Sequence, residues 1–368
     1  MSMALEIQRK PSQRIHVGGL ALGDGAPIRV QSMTNTPTAD VAATLEQIAR
    51  LRRAGCELVR VAVPDEEAVA ALPAIKAGAG MPVIADIHFD YRLAVAAAKN
   101  GADGLRINPG NIGAAWKVAE VVAAAKDHDC AIRVGVNAGS LEKDLLKKHG
   151  HATAAAMVES ALAHLDHLAS LGFTNVKASI KASDVPRTVE AYRMLSARTD
   201  VPLHLGVTEA GGRLAGTVKS SIGIGLILAD GIGDTLRVSL TGDPVPEMRV
   251  AWEILRSLNI RARGPEIISC PTCGRTRIDL AAIADQVEEE LAFMTAPVKV
   301  AVMGCVVNGP GEAREADVGI AGGQGQGILF RKGKLVAKVP EADLLRVLVE
   351  EARDLERAYL EGRKKAAD

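Results

Sequence analysis

Three cysteines in the last third of this chain have a spacing that could do chemistry. Cys270-Pro-Thr-Cys273 is a CxxC pair, and Cys305 follows in the glycine-rich stretch GCVVNGPGE. Zinc is one reading, but a structural zinc needs four closed ligands, usually Cys and His. The last histidine of the chain is His204, so this region offers none. A redox disulfide within the CxxC would leave Cys305 idle. Three thiolates are the usual protein share of a [4Fe–4S] cluster with one distinct iron, which takes solvent, substrate or an oxygen ligand. Glu312, just past the Gly-Pro-Gly turn, is placed to be that ligand. The pattern favours iron–sulfur, with zinc and a redox disulfide as the alternatives. The spacing differs from the three clustered cysteines of radical S-adenosylmethionine enzymes. Cys56 and Cys130 sit singly in apolar segments and read as buried small hydrophobes.

A second constellation lies upstream. Side chains alternate faces along a strand. In GLRIN, Leu105 and Ile107 oppose Arg106 and Asn108. In AIRVGVN, Ile132, Val134 and Val136 oppose Arg133, Gly135 and Asn137. In NVKASIK, Val176, Ala178 and Ile180 oppose Lys177, Ser179 and Lys181. Leu236 and Val238 oppose Arg237 and Ser239. Val59 and Val61 flank Arg60, Asp86 and His88 alternate with Ala85 and Ile87, and His204 lies between Leu203 and Leu205. If the apolar faces meet helices, Arg60, Arg106, Arg133, Lys177, Lys181 and Arg237 converge, with only Asp86 and Glu209 as obvious acids. Unpaired buried charge costs several kcal/mol per ion, so an anion must compensate. Guanidinium forks match phosphate or carboxylate oxygens, and a diphosphate is the kind of ligand implied. The competing reading is an internal salt-bridge network. Glu209, in TEAGG, is the best acid for proton transfer. Asp86 is a second catalytic candidate or a partner that holds an arginine, and His88 and His204 contact the ligand or orient its neighbours.

The elements that must position these residues repeat one unit: a short β-branched segment, a polar loop, then an Ala/Leu-rich amphipathic stretch. Strands are expected at 28–33, 57–64, 82–89, 104–111, 131–139, 175–183, 202–211 and 235–244. Eight strands alternating with about eight helices predict an α/β chain with an N-terminal (β/α)8 TIM barrel. An open doubly wound sheet is the alternative, but Gly223-Ile-Gly225 lacks the third glycine of its fingerprint. A hairpin over 13–29 precedes the barrel, and the last barrel helix runs from about Pro244 to Leu258. The division is residues 1–260 as substrate-binding barrel, 261–267 as linker and 268–368 as a smaller α/β iron–sulfur domain. EGRKKAAD at the end reads as a frayed tail.

Composition narrows the function classes. The 368 residues are 48% hydrophobic and 2% aromatic with a formal net charge of zero, so the core is aliphatic. Nucleic-acid binding, which wants basic surface and stacking rings, is disfavoured. No apolar run approaches a membrane span, the opening MSMALEIQRKPSQR lacks the apolar core of a signal peptide, and an odd number of cysteines argues against structural disulfides. A cytoplasmic protein is expected.

At this point the motifs resemble one family. VKASIKASDV (176–185), PLHLGVTEAGG (202–212), GIGDTLRVSLTGDP (231–244), ISCPTCGR (268–275) and GCVVNGPGE (304–312) are similar to the 4-hydroxy-3-methylbut-2-enyl diphosphate synthases of the non-mevalonate isoprenoid pathway. The likeness runs from about residue 13 to 330, and nothing past 330 adds to it. The resemblance implies a (β/α)8 barrel and a cluster domain of the sulfite-reductase type. It implies reductive ring opening of 2-C-methyl-D-erythritol 2,4-cyclodiphosphate, with loss of the C3 hydroxyl and electrons from flavodoxin or ferredoxin. By resemblance, Cys270, Cys273, Cys305 and Glu312 become cluster ligands. Arg60, Arg106, Arg133, Lys181, His204 and Arg237 become diphosphate contacts, and Glu209 the proton donor. Asn108, Asn137, Lys177 and Ser239 share the same polar face. The short linker matches the compact bacterial form.

Two other classes compete. One is an iron–sulfur hydro-lyase acting on an anionic substrate without net electron transfer; the other is an iron–sulfur sensor or carrier. The crowded cationic interior argues against the second. A head-to-tail homodimer is also expected, because the last barrel helix returns the chain to the barrel's N-terminal face and a seven-residue linker reaches at most about 25 Å; a large hinge that folds the domain back over its own barrel is the alternative.

Overall fold

The computed structural model describes residues 6–305, 311 and 313–367. The chain divides into two compact units, Met1–Arg261 and Ala262–Asp368.

The first unit opens with a hairpin, β1 (Ile15–Val17) and β2 (Leu20–Leu22). Eight strands follow: β3 (Arg29–Met33), β4 (Leu58–Ala62), β5 (Val83–Asp86), β6 (Gly104–Ile107), β7 (Ala131–Asn137), β8 (Val176–Lys181), β9 (His204–Leu205) and β10 (Thr235–Leu236). They pair in the order β8-β7-β6-β5-β4-β3-β10-β9, all parallel. A parallel bridge between Ala178 and Leu203 joins β8 to β9 and closes the barrel. The fold is therefore a closed (β/α)8 barrel, not a doubly wound open sheet.

Helices follow the strands, and many start at a side-chain cap. Asp40, Asp65, Asp90, Thr153 and Asp184 each accept a backbone N–H of the first turn. Each such cap stabilises its helix by about 1 kcal/mol. The outward strand residues Ile132, Val134, Ala178 and Ile180 are completely buried against this helix layer. The hairpin residues Ile15, Val17 and Leu22 pack on Leu58, Ile84 and Ala131, early inward positions of β4, β5 and β7. An aliphatic plug thus seals the N-terminal end of the barrel. Strands β9 and β10 are only two residues long, shorter than their sequence segments suggest. Their chains leave the ladder early to form the loops at the C-terminal mouth. The last barrel helix runs Val245–Ser257.

The second unit holds β11 (Glu266–Ser269), β12 (Lys299–Met303), β13 (Val318–Ala321), β14 (Gln326–Arg331) and β15 (Lys334–Pro340), in that spatial order. The first three are parallel and the last two antiparallel. Helices Leu280–Glu290 and Leu344–Ala367 flank the sheet through Val287, Leu344 and Leu348. Strand β11 begins inside the stretch read as a linker. The tail read as frayed continues the final helix to Ala367.

Candidate active site

Alternation along the strands carries the charges inward as one layer. Two residues beyond Leu58, Ile84, Gly104 and Ala131 stand Arg60, Asp86, Arg106 and Arg133, each at most 8% exposed. Asp86, Arg106, Arg133 and Lys177 are direct register partners from β5 to β8. Lys181 lies one inward step beyond Ser179 on β8, and Lys177, Lys181 and His204 are all buried.

Two glycines make room for this crowding. A β-carbon on Gly206 would lie 2.6 Å from Lys181 Nζ and 2.8 Å from the Arg237 carbonyl oxygen. One on Gly135 would collide with Arg106 in the same way.

Asp86 is the hub of the arginine layer. Its carboxylate lies 3.3 Å from Arg106 Nη1, 3.8 Å from Arg60 Nε and 3.4 Å from His88 Nε2. Burial alone would raise its pKa, but Arg60, His88, Arg106 and Arg133 together outweigh burial and hold it well below the usual carboxylate range. The charged form is thus favoured beside the Arg60 and Arg106 guanidinium groups. In the amide orientation that satisfies both groups, Asn137 Oδ1 accepts from Arg106 Nη2 at 3.2 Å. Asn108 donates to Ser140 Oγ at 3.3 Å and accepts the Gly110 N–H, which ties together the loops after β6 and β7.

The cations outnumber their partners. Arg106 Nε, Arg133 Nε and Nη1, Lys177 Nζ and Arg237 Nε are buried and find no acceptor among the described residues. Native interiors satisfy nearly all such groups, and each orphan costs about 1–3 kcal/mol. Burial first, then neighbouring arginines, pushes the pKa values of Arg133, Lys177 and Lys181 well below their ordinary values. Arg60 is drawn down to about 10, again chiefly by burial. His204 is likewise depressed by burial and then by Arg133, Lys181, Lys177 and Arg60, which favours the uncharged ring. Its Nδ1 lies 2.8 Å from Thr235 Oγ1, and its Nε2 has no partner among the described residues.

Glu209 is exposed, in the loop beyond β9, with a backbone φ of 52°. That left-handed conformation is uncommon for a residue with a side chain, and such strain concentrates at functional sites. Ser239 is half-buried two residues beyond Arg237.

Sequence reasoning missed two members of this interior. Glu247, on the helix after β10, is 1% exposed and lies 3.6 Å from Arg237 Nη2. It also accepts from Leu240 N and Ser32 Oγ. Its pKa is raised, because burial outweighs Arg237. Met33, on β3, accepts N–H groups from Arg60 and Arg237. Alternation with Gln31 could have placed Met33 inside, but a lone methionine carries no chemical signal.

Two of the thiols leave the second sheet at the same end. Cys270 directly follows β11, and Cys305 comes two residues after β12. These strands are parallel neighbours, with Ser269 opposite Val302, so both cysteines leave the same end. Gly304 N donates to Cys270 Sγ at 3.3 Å, and Arg277 N donates to the Gly304 carbonyl at 3.0 Å. Thr276 closes the turn that starts at Cys273. None of the five cysteines is in a disulfide; Cys56 and Cys130 are buried, and burial pushes both thiol pKa values up, Cys56 to about 12. Among the described residues no three His, Cys, Asp or Glu side chains lie within metal-holding reach of one another. Glu312 lies outside the described residues. The donor chemistry nevertheless fits an iron–sulfur cluster: three free thiols in one unit, two of them leaving the same end of paired parallel strands, and one already accepting a backbone N–H as cluster-bound sulfurs do.

These features define a two-domain enzyme: a (β/α)8 barrel with a cation-lined interior, joined to a thiol-bearing α/β unit. The model of the GcpE TIM-barrel domain matches residues 12–252, and that of the GcpE protein C-terminal domain matches residues 266–354. The chain belongs to the GcpE family. The second match runs past residue 330, where the motif likeness stopped. A relative from Geobacter sulfurreducens, named 4-hydroxy-3-methylbut-2-en-1-yl diphosphate synthase (flavodoxin), is 61% identical over 94% of this chain and 98% of its own length. One of the same name from Desulfotalea psychrophila is 60% identical over 96% and 98%. A third, from Anoxybacillus flavithermus, is 54% identical over 96% and 97%.

Proposed function

We propose that this chain catalyses reductive ring opening of 2-C-methyl-D-erythritol 2,4-cyclodiphosphate to 4-hydroxy-3-methylbut-2-enyl diphosphate, as a [4Fe–4S] oxidoreductase supplied by flavodoxin. The observation that carries the reading is the layer of buried, acceptor-less cations in the barrel of a GcpE-family chain. Relatives at 54–61% identity bear the name of this activity.

The residues 1–260 hold the substrate. Arg60, Arg106, Arg133, Lys177, Lys181 and Arg237 bind the diphosphate oxygens. The neutral His204, with Asn108, Asn137 and Ser239, supplies uncharged hydrogen bonds that fix orientation. Asp86 holds the Arg60 and Arg106 forks in place, which makes it a positioning residue and not a proton donor. Glu209 stands ready to protonate the departing C3 oxygen, which leaves as water. Closure of the barrel floor by Ile15, Val17 and Leu22 keeps water from entering beneath the substrate.

Residues 268–368 form the cluster domain, with Cys270, Cys273, Cys305 and Glu312 as ligands. The chemistry supplied by a [4Fe–4S] cluster, when bound, is delivery of single electrons together with Lewis acidity at the iron that lacks a thiolate. Among the described residues no helix is long and apolar enough to cross a membrane.

Anaerobic turnover of the cyclodiphosphate, with and without dithionite or reduced flavodoxin, tests the assignment. Product should appear only with reductant. Conversion at full rate without one would make the chain a hydro-lyase. Glu209→Gln should lower kcat by about 10²–10⁴, the range for loss of a general acid, with KM nearly unchanged. Ferredoxin as an alternative donor and a homodimer are finer parts of the reading. Support for the dimer is the short connection between Ser257 and Glu266. Mixing Cys305→Ser chains with Arg106→Ala chains should restore activity if copies complement one another.

A further inference from the structure

The sheet order places β3 between β4 and β10. Its last residue, Met33, is the direct register partner of Arg60. Arg60 donates through Nε and Nη2 to Met33 Sδ, at 3.2 and 2.9 Å. From the other flank, Arg237 donates through Nη1 to the same sulfur at 3.6 Å. Two guanidinium groups that should repel each other therefore meet at one uncharged atom.

The choice of atom has a consequence. A carboxylate here would also orient both forks, but it would neutralise them and compete with an incoming anion. A leucine would fill the same space and accept nothing. A thioether is polarisable and accepts weakly. It can aim N–H groups while leaving their charge undiminished. The remaining anionic neighbours do not do this alone: Asp86 lies 3.8 Å from Arg60 Nε, and Glu247 lies 3.6 Å from Arg237 Nη2.

We propose that Met33 is a positioning residue: its sulfur bridges Arg60 and Arg237 and helps hold both aimed at the diphosphate without adding a further negative charge. The inference rests on the diphosphate reading above. It assigns Met33 no contact with the reacting atoms.

The test compares the anaerobic holoenzyme with Met33→Leu, Met33→Gln and Met33→Glu. Calorimetry measures the Kd of inorganic pyrophosphate, and steady-state kinetics separate KM from kcat. Leucine is a volume-matched exchange at a half-buried position. It should weaken pyrophosphate binding about tenfold, the scale of one net hydrogen bond to a charged group. KM should rise by a similar factor while kcat stays within about twofold. Glutamine, whose amide oxygen accepts, should recover most of the lost affinity. Glutamate should bind weakest and raise the thermal midpoint of the anion-free protein. A packing role would predict no rescue by glutamine. Wild-type affinity in Met33→Leu, equal loss in Met33→Gln, or loss of fold in the leucine variant each overturns the proposal. If the unsubstituted enzyme binds neither pyrophosphate nor the cyclodiphosphate, the diphosphate reading itself fails and takes this inference with it.

Discussion

Gly135 and Arg106 compete for one volume: a β-carbon on Gly135 would stand 2.8 Å from Arg106 Nε and 3.3 Å from Nη2. The two residues lie on neighbouring strands, and Nε is not the free end of the side chain. It cannot swing aside without moving the whole guanidinium off Asp86. Gly135→Ala should therefore raise KM several-fold and destabilise the protein by about 1–3 kcal/mol, the cost of overpacking. Thermal melts and substrate titration check this. Unchanged values in both would mean that Arg106 has room to spare.

The thiols make the sharpest chemical prediction. Anaerobically purified protein should be brown, with four irons and four sulfides per chain, as a [4Fe–4S] cluster requires. Cys270→Ser, Cys273→Ser and Cys305→Ser should each abolish the colour and the metal. Glu312→Gln should keep a folded barrel but alter the EPR spectrum of the reduced cluster and slow turnover, since an amide is a poor replacement for a carboxylate ligand. Stoichiometric zinc in the native protein would falsify the iron–sulfur assignment.

Arg133 is buried among Arg60, Arg106, Lys177 and Lys181, and two of its nitrogens lack acceptors among the described residues. Like charges a few Å apart repel by several kcal/mol at intermediate dielectric. Arg133→Ala should raise KM strongly, yet raise the thermal midpoint of the anion-free protein. Pyrophosphate should stabilise the parent more than the variant. A variant that melts lower and binds normally would contradict the anion-binding role.

The lysines predict a pH dependence. Lys177 and Lys181 have folded pKa values depressed by burial and by neighbouring cations, below the ordinary 10.5. Between the depressed value and 10.5 the unfolded chain binds more protons than the folded one, so stability rises with pH. Above the ordinary thiol value of 9.0 the trend reverses in part, because Cys56 and Cys130 stay protonated in the fold while their unfolded forms ionise. His204 adds to the rise only near its ordinary 6.5 and below. The thermal midpoint of the anion-free protein should thus climb from about pH 7 to about pH 8.5. Lys177→Met and Lys181→Met should each flatten the climb, and saturating pyrophosphate should reduce it by favouring the protonated lysines. A flat profile in the parent would show that the lysines are charged in the fold.

Much of the site was legible in the chain itself, because strand alternation is local. Period two alone put Arg106, Arg133, Lys177 and Lys181 on the face opposite Leu105, Ile132, Val176 and Ile180. Eight repeats of strand and helix specified the closed barrel. The thiol motif was legible as spacing alone; that Cys270 follows β11 and Cys305 comes two residues after β12 emerged only from the sheet. The extent of β9 and β10 was overestimated, because β-branched composition does not report where a chain leaves its ladder to form the mouth.

Strand alternation was enough to tell which side chains face inward, and hence that this barrel has a cationic interior in need of an anion. Which of those side chains meet depends on the folded barrel. Barrel closure brings Met33 between Arg60 and Arg237, residues far apart in the chain, and puts Glu247 beneath Arg237. It also surrounds Asp86 with cations contributed by three other strands, which hold its pKa low. Facing is set by the backbone of one strand, residue by residue. Pairing is set by shear and closure of the whole sheet, and no local pattern encodes it.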